Sequence, residues 1–300
     1  MDKDYALLLK QGTAALEGNA YEKASALLTE CYSEKKTFRV NFLLVTAFAK
    51  QGEYVAAGEL AEEYLSEYIK NNNYFEKYIL INARAGRFVH LKKLMLSIDS
   101  YLNKEERVSF TSMLAEEEVS FAAEHRDNVD KMRKKVMHCG QAGPLEQRKL
   151  FKQAYLLPSS VFLQVGKYLL SDPDVHSLIK SNIIDDFRTL KIAEKISFYF
   201  CDQKTYTLVP KKLHALEQTN TYSYFQTKLM DDKNQILQNQ LWREVRLKLI
   251  LLYPFEQEIV LPSEKWLHAF LLDESLAGYP KKIKKWAKIL ENELSSWKIQ

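Results

Sequence analysis

AKQGEYVAAGELAEEYL (49–65) sets one glycine, Gly52, inside what otherwise reads as two amphipathic helices. Gly18 and Gly86 lie 34 residues to either side of it. Aligned on these glycines, the chain gives LEGNAYEKA (16–24), KQGEYVAAG (50–58) and RAGRFVHLK (84–92). Around Gly52, Leu43, Leu44, Ala47 and Phe48 form one apolar stripe, and Ala57, Leu60, Ala61, Tyr64 and Leu65 form the next. Around Gly86, Ile79, Leu80 and Ala83 answer Leu91, Leu94, Met95 and Ile98. Both sets follow the i, i+3, i+4, i+7 spacing of a one-sided helix. One such helix alone leaves its stripe in water; pairing and stacking bury it, so such units come in arrays. A left-handed backbone at a helix end is cheap only for glycine, so each glycine is expected to close a first helix. Tyr54 and Ala57 then seat the second.

A 34-residue helix–turn–helix with a glycine, a polar residue and an aromatic at its turn resembles the tetratricopeptide repeat, TPR. The matching residues are Gly52, Tyr54 and Ala57, then Gly86, Phe88 and Leu91, with Ala24 as the small contact in the first unit. That first unit slips by one, because GNAY holds an extra residue between Gly18 and Tyr21. A degenerate fourth unit runs through a helix at Phe110–Ala123, a turn at EHRDN and a helix at Val129–Cys139, so the resemblance covers roughly residues 4–140. The family's small residue in the first helix is Gly12 in unit one but Val45 and Ile79 in the next two, and its repeat-ending proline is absent.

The resemblance implies a mostly α fold whose residues 1–140 form a TPR-like helical-repeat array, an α-solenoid, with the first helices lining a concave groove. On that face it places Arg39, Phe42, Thr46 and Lys50, then Asn73, Glu76, Leu80 and Arg84 with Lys77 nearby, and Leu9 and Thr13 in unit one. The TPR type that grips a C-terminal carboxylate needs lysine, asparagine and arginine at fixed positions. Here those read Leu9, Thr13, Leu43, Asn73 and Lys77, which disfavours that ligand. What remains suits an extended or helical peptide with acidic and apolar positions. Phe42 is equally suited to packing between repeats, whereas the charged residues rarely bury unpaired. The expected function is a non-catalytic scaffold or adaptor for a protein or peptide partner.

All seven prolines lie at or after Pro144 and all four tryptophans at or after Trp242. CGQAGP (139–144) is therefore read as the boundary of a second, helical domain over 141–300. Helices are expected over 144–158, 159–171 and 172–191, the last with Pro173 in its first turn. KISFYF (195–200) and TYTLVP (205–210) alternate around CDQK, which predicts a β-hairpin near 195–209 lying on helices or on a partner. Further helices are expected near 211–230, 234–253, 262–273 and 280–297. Pro173, His176, Lys180, Arg246, Tyr253, Pro254 and Phe255 resemble the C-terminal part of uncharacterised TPR-containing proteins of low-GC Gram-positive bacteria, which implies no activity.

Chemistry-bearing motifs are scarce. No glycine pattern for cradling phosphate and no HExxH zinc motif occurs, so no cofactor or metal is expected. His138 and Cys139 are adjacent, but helix neighbours point about 100° apart and do not face each other. AEEEV (115–119) and IIDDF (183–187) read as solvated helix faces. PKKIKKWAKIL (280–290) surrounds Ile283, Trp286, Ala287 and Leu290 with Lys281, Lys282, Lys284, Lys285 and Lys288. It reads as a capping helix, a contact for nucleic acid or an anionic membrane, or a dock for an acidic partner. A nucleic-acid-associated or regulatory protein acting through this helix is the alternative function, though a net charge of +4 is weak for it. Three dispersed cysteines, an acidic N-terminus and apolar runs no longer than those of LILLY (249–253) suggest a reduced, cytoplasmic chain without a membrane span. Oligomeric state is not legible.

Overall fold

The computed structural model describes residues 2–230, 235–271 and 278–298. The protein is mostly α-helical, with one two-stranded antiparallel sheet among the described residues. It divides into two compact units: residues up to Asp130 with Tyr155–Ser159, and Lys131–Ala154 with the described residues from Ser160 onward.

The first unit is a succession of helical hairpins: α1 (Asp2–Glu17) with α2 (Tyr21–Glu34), α3 (Phe38–Lys50) with α4 (Tyr54–Glu62), and α6 (Asn72–Arg84) with α7 (Phe88–Ile98). A short α5 (Leu65–Ile69) follows α4, and α8 (Lys104–Glu124) packs on α6. Each hairpin turns through one left-handed residue, and the first of these is Asn19 rather than Gly18: the φ values are +58° at Asn19, +81° at Gly52 and +76° at Gly86. The closing hydrogen bonds are the same in all three. The left-handed residue's N–H reaches back three positions, to Leu16, Ala49 and Ala83. The next N–H reaches back five, to Ala15, Phe48 and Asn82, which makes each turn a Schellman motif. Counted from Asn19, Tyr21 and Ala24 fall where Tyr54 and Ala57 follow Gly52. The slip is therefore a substitution of asparagine for glycine, a residue whose short polar side chain also tolerates this backbone.

Other expectations need correction. The helix after Gly52 breaks at Glu63–Tyr64, which frees Glu63 to accept from Tyr32 Oη at 2.8 Å and sends Tyr68 into the core. EHRDN is not a turn: α8 and α9 (Arg126–Met137) are separated by His125 alone. α8 begins at Lys104, where Asn103 and Glu106 form a reciprocal capping box. Between the hairpins, the fully buried Asn41 donates to Leu60 O at 2.8 Å and accepts from Tyr68 Oη at 3.2 Å, so the interior amide is satisfied.

The second unit holds α10 (Pro144–Ala154), α11 (Ser159–Ser171) from its second residue onward, and α12 (Ser177–Thr189). α12 starts well after Pro173, because the His176 side chain caps it by accepting from the Leu178 N–H at 3.1 Å. The hairpin pairs β1 (Ile196–Tyr199) with β2 (Thr205–Leu208), Ile196 opposite Leu208. Its inward Phe198 and Phe200 pack on Phe255, and Phe200 also on Trp286, so the sheet lies on helices. Then come α13 (Asn220–Met230), α14 (Gln235–Leu252), α15 (Glu256–Ile259), α16 (Ser263–Leu271) and α17 (Lys281–Lys298). α13 starts later than the expected 211, after two short 3₁₀ turns. Position 234 and positions 272–273 of the expected helices lie outside the described residues. In α17, Ile283, Trp286, Leu290 and Leu294 are buried while Lys281, Lys282, Lys285 and Lys288 are exposed.

Candidate functional site

The face selected from the sequence lies on α3 and α6. Thr37 and Asn71 cap these helices through side-chain oxygens that accept from Val40 and Tyr74 N–H groups. Both helices therefore start at equivalent places, which brings the residues six and two positions before each closing glycine to comparable faces. Thr46, Lys50, Lys77, Leu80 and Arg84 line one cleft of about 390 Å³, together with Ala49, Tyr54 and Ile81. Lys50 and Arg84 are exposed at its rim. Lys50 and Lys77 have no ion-pair partner among the described residues. Lys77 Nζ instead sits 4.5 Å from the centroid of the Phe42 ring.

Phe42 is half-buried between the helices, its ring centroid 4.8 Å from Tyr74 and 6.1 Å from Phe38. It thus serves packing and forms the floor beneath Lys77. The Thr46 hydroxyl donates to Phe42 O at 2.7 Å, as Thr13 does to Leu9 O in the first hairpin. Arg39 is exposed and Glu76 half-buried, and neither lines the cleft.

Sequence reasoning missed the other side of Arg84. A second cleft of about 750 Å³ shares Tyr54 and Arg84 with the first, and its far wall is α8: Glu117, Ser120, Phe121, Glu124 and His125. Arg84 donates to Tyr54 Oη at 3.1 Å and lies 3.8 Å from Glu117 Oε2. A cationic cleft and an acid-walled one therefore meet at one guanidinium. Within AEEEV, Glu118 is not a solvated surface acid: it pairs with Lys92 at 2.7 Å and accepts from the Ser159 N–H.

The face rests on a polar network joining α4, α6 and α7. Glu62 Oε1 accepts from Tyr78 Oη at 2.5 Å and Arg87 Nη2 at 3.1 Å, and lies 2.8 Å from His90 Nε2. Arg87 Nη1 also donates to the buried Asn82 Oδ1 at 2.6 Å. Gly58 admits this arrangement, since a Cβ there would come within 2.8 Å of Asn82 Oδ1. Burial alone raises the Glu62 pKa, but the His90 and Tyr78 hydrogen bonds and the His90 and Arg87 charges outweigh it and hold the group at about 2.

No nucleophile–base pair emerges at the remaining motif. Cys139 is fully buried, and burial, then the Asp172 carboxylate, pushes its thiol up to about 11, while His138 is exposed. Among the described residues no group of three His, Cys, Asp or Glu side chains could hold a metal ion. No helix among them is long and apolar enough to cross a membrane. No family model, curated protein or solved structure matches the chain.

Proposed function

We propose that the first unit is a non-catalytic, TPR-like scaffold that binds an extended or helical peptide with acidic and apolar positions along α3 and α6. One observation carries this reading. Five of the eleven residues that the sequence placed on this face line a single open cleft, and its two lysines lack an acidic partner among the described residues. Acidic side chains of a peptide would meet Lys50, Lys77 and Arg84, and an apolar one would meet Leu80 and Ala49. Three equivalent Schellman turns, 33 and 34 residues apart, support the TPR-like comparison. The alternative, nucleic-acid association through the exposed lysines of α17, has less behind it, since Lys282 Nζ already donates to Glu258 O at 3.1 Å.

Selection from a random peptide display library tests the proposal. The wild type should enrich sequences with acidic residues spaced by apolar ones, and the Lys50→Glu, Lys77→Glu, Arg84→Glu triple variant should lose them. Enrichment that is unchanged in the triple variant places the binding surface elsewhere. No enrichment, together with salt-sensitive retention of single-stranded nucleic acid that depends on Lys281 and Lys285, favours the alternative.

A further inference from the structure

The second unit holds a buried cation that meets no acceptor among the described residues. Lys180 is 4% exposed, one helical turn after the cap His176, and its side chain lines a cleft of about 480 Å³. His176 is fully engaged. Its Nδ1 accepts from the Leu178 N–H, so Nε2 carries the proton and donates to Glu293 O at 3.0 Å, with Ser296 Oγ at 3.1 Å. Among the described residues, Lys180 Nζ makes no hydrogen bond and no ion pair within 4.0 Å. It sits against the Tyr199 ring, 5.0 Å to the centroid.

Three costs coincide at this residue. Burial disfavours the ammonium, the first turn of α12 presents the positive end of its dipole, and no side chain or carbonyl among the described residues accepts from its N–H groups, which are left to whatever occupies the cleft. Burial is the largest of the influences on its pKa and lowers it to about 8, against the opposing pull of Asp172 and Glu293. A methionine would fill the same volume over Tyr199 without these costs. Residues that break local rules in this way are expected where function requires them.

The remaining charges on the cleft restrict the ligand. Glu293 and Asp174 line it beside Lys180. A dianion such as phosphate would face both carboxylates, and a simple monoanion would leave them unanswered. A molecule carrying both a carboxylate and an ammonium answers all three. We propose that this cleft binds a small zwitterion of the free amino acid class, its carboxylate accepting from Lys180 Nζ and its ammonium directed to Glu293 and Asp174. The Tyr199 and Phe200 side of the cleft is left for an apolar side chain. The proposal is independent of the peptide reading, which concerns the first unit.

The test uses the full chain and the reactivity of the amine itself. Reductive methylation by formaldehyde and cyanoborohydride is followed at Lys180 and at the exposed Lys281 by mass spectrometry. It is run with each of the proteinogenic amino acids, acetate or methylammonium. At saturation, at least one amino acid should lower the ratio of Lys180 to Lys281 methylation by about threefold or more, the ratio cancelling the formaldehyde that the free amine consumes. Acetate and methylammonium should protect less, and Glu293→Gln should weaken the protection. Lys180→Met should fold with an unchanged or raised Tm and lose any ligand-induced rise in Tm. Three results overturn the proposal: a Lys180 that never reacts, protection by no amino acid, or acetate protecting as well as the best of them. The first two, joined to a lower Tm for Lys180→Met, would make the amine a structural cation over Tyr199.

Discussion

Glu62 and Glu256 are both glutamates drawn out of water, and they end on opposite sides of the ordinary carboxylate range. Glu62, in the first unit, is held at about 2; Glu256, in the second, is pushed by burial to about 7. The difference is the supply of partners. Glu62 meets Tyr78, Arg87 and His90, whereas Glu256 is 1% exposed and its Oε2 has no hydrogen-bond partner among the described residues. Burial fixes the cost of a charge, and neighbours fix whether it is met. The first unit answers the buried amides of Asn41 and Asn82 and leaves only the Ser159 hydroxyl unpartnered among its described buried side chains. The second leaves Lys180 and Glu256 less completely answered.

The largest effect is expected where an answered network is broken. Arg87→Met removes two charge-assisted bonds and leaves the buried Asn82 Oδ1 without its donor. The loss should be about 3 kcal/mol in urea unfolding. A loss no greater than that of the exposed Arg126→Met would mean that the network is decoration. The pH dependence carries a definite sign. The Glu62 pKa is lowered from 4.5 to about 2, so its stabilisation is complete above 4.5 and drains away as pH falls toward 2. Glu62→Gln should flatten that acid limb.

Glu256 runs the other way. Its folded pKa lies above 4.5, so the folded state holds the extra proton between 4.5 and about 7. Stability should fall as pH rises through that window and level off above it. Glu256→Gln should leave acid stability nearly unchanged and gain up to roughly 3 kcal/mol at about pH 8. Equal destabilisation at both ends of the pH range would show that Glu256 is paired as well as Glu62 is, and the contrast between the units would collapse.

The two regions also differ in how much of them could be read in advance. The hairpins were legible because their turns repeat a glycine and an aromatic two residues later, signals that are local in the chain. Asn19 hid one turn, since its left-handed backbone shows only in three dimensions, where Tyr21 Oη donates to Asn19 Oδ1 at 2.6 Å. The break at Glu63–Tyr64 carries no glycine or proline, and EHRDN looks like a polar loop although helix continues on both sides of His125. The α12 start was misplaced because histidine stands outside the usual set of caps. At the candidate face, spacing along α3 and α6 found the cations. The acid wall on α8 depends on tertiary packing, and no periodicity reveals that a single lysine such as Lys180 is buried.

The smallest expected effects sharpen the contrast from inside the first unit, where three equivalent turns differ in surroundings. Gly52 and Gly86 share the same left-handed backbone, yet a Cβ at Gly52 would meet nothing within 4 Å, whereas at Gly86 it would press on Phe121 at 3.1 Å and on Leu156 O at 3.2 Å. Gly86→Ala should therefore cost roughly 2 kcal/mol and Gly52→Ala about 1 kcal/mol, the latter being the backbone strain alone. Asn19→Gly removes strain but frees the unfolded chain, so it should change stability by only a few tenths of a kcal/mol. Unfolding midpoints of the three variants separate conformation from packing. If Gly52→Ala costs as much as Gly86→Ala, the backbone accounts for the whole penalty, and the close approach of Phe121 to the turn contributes nothing.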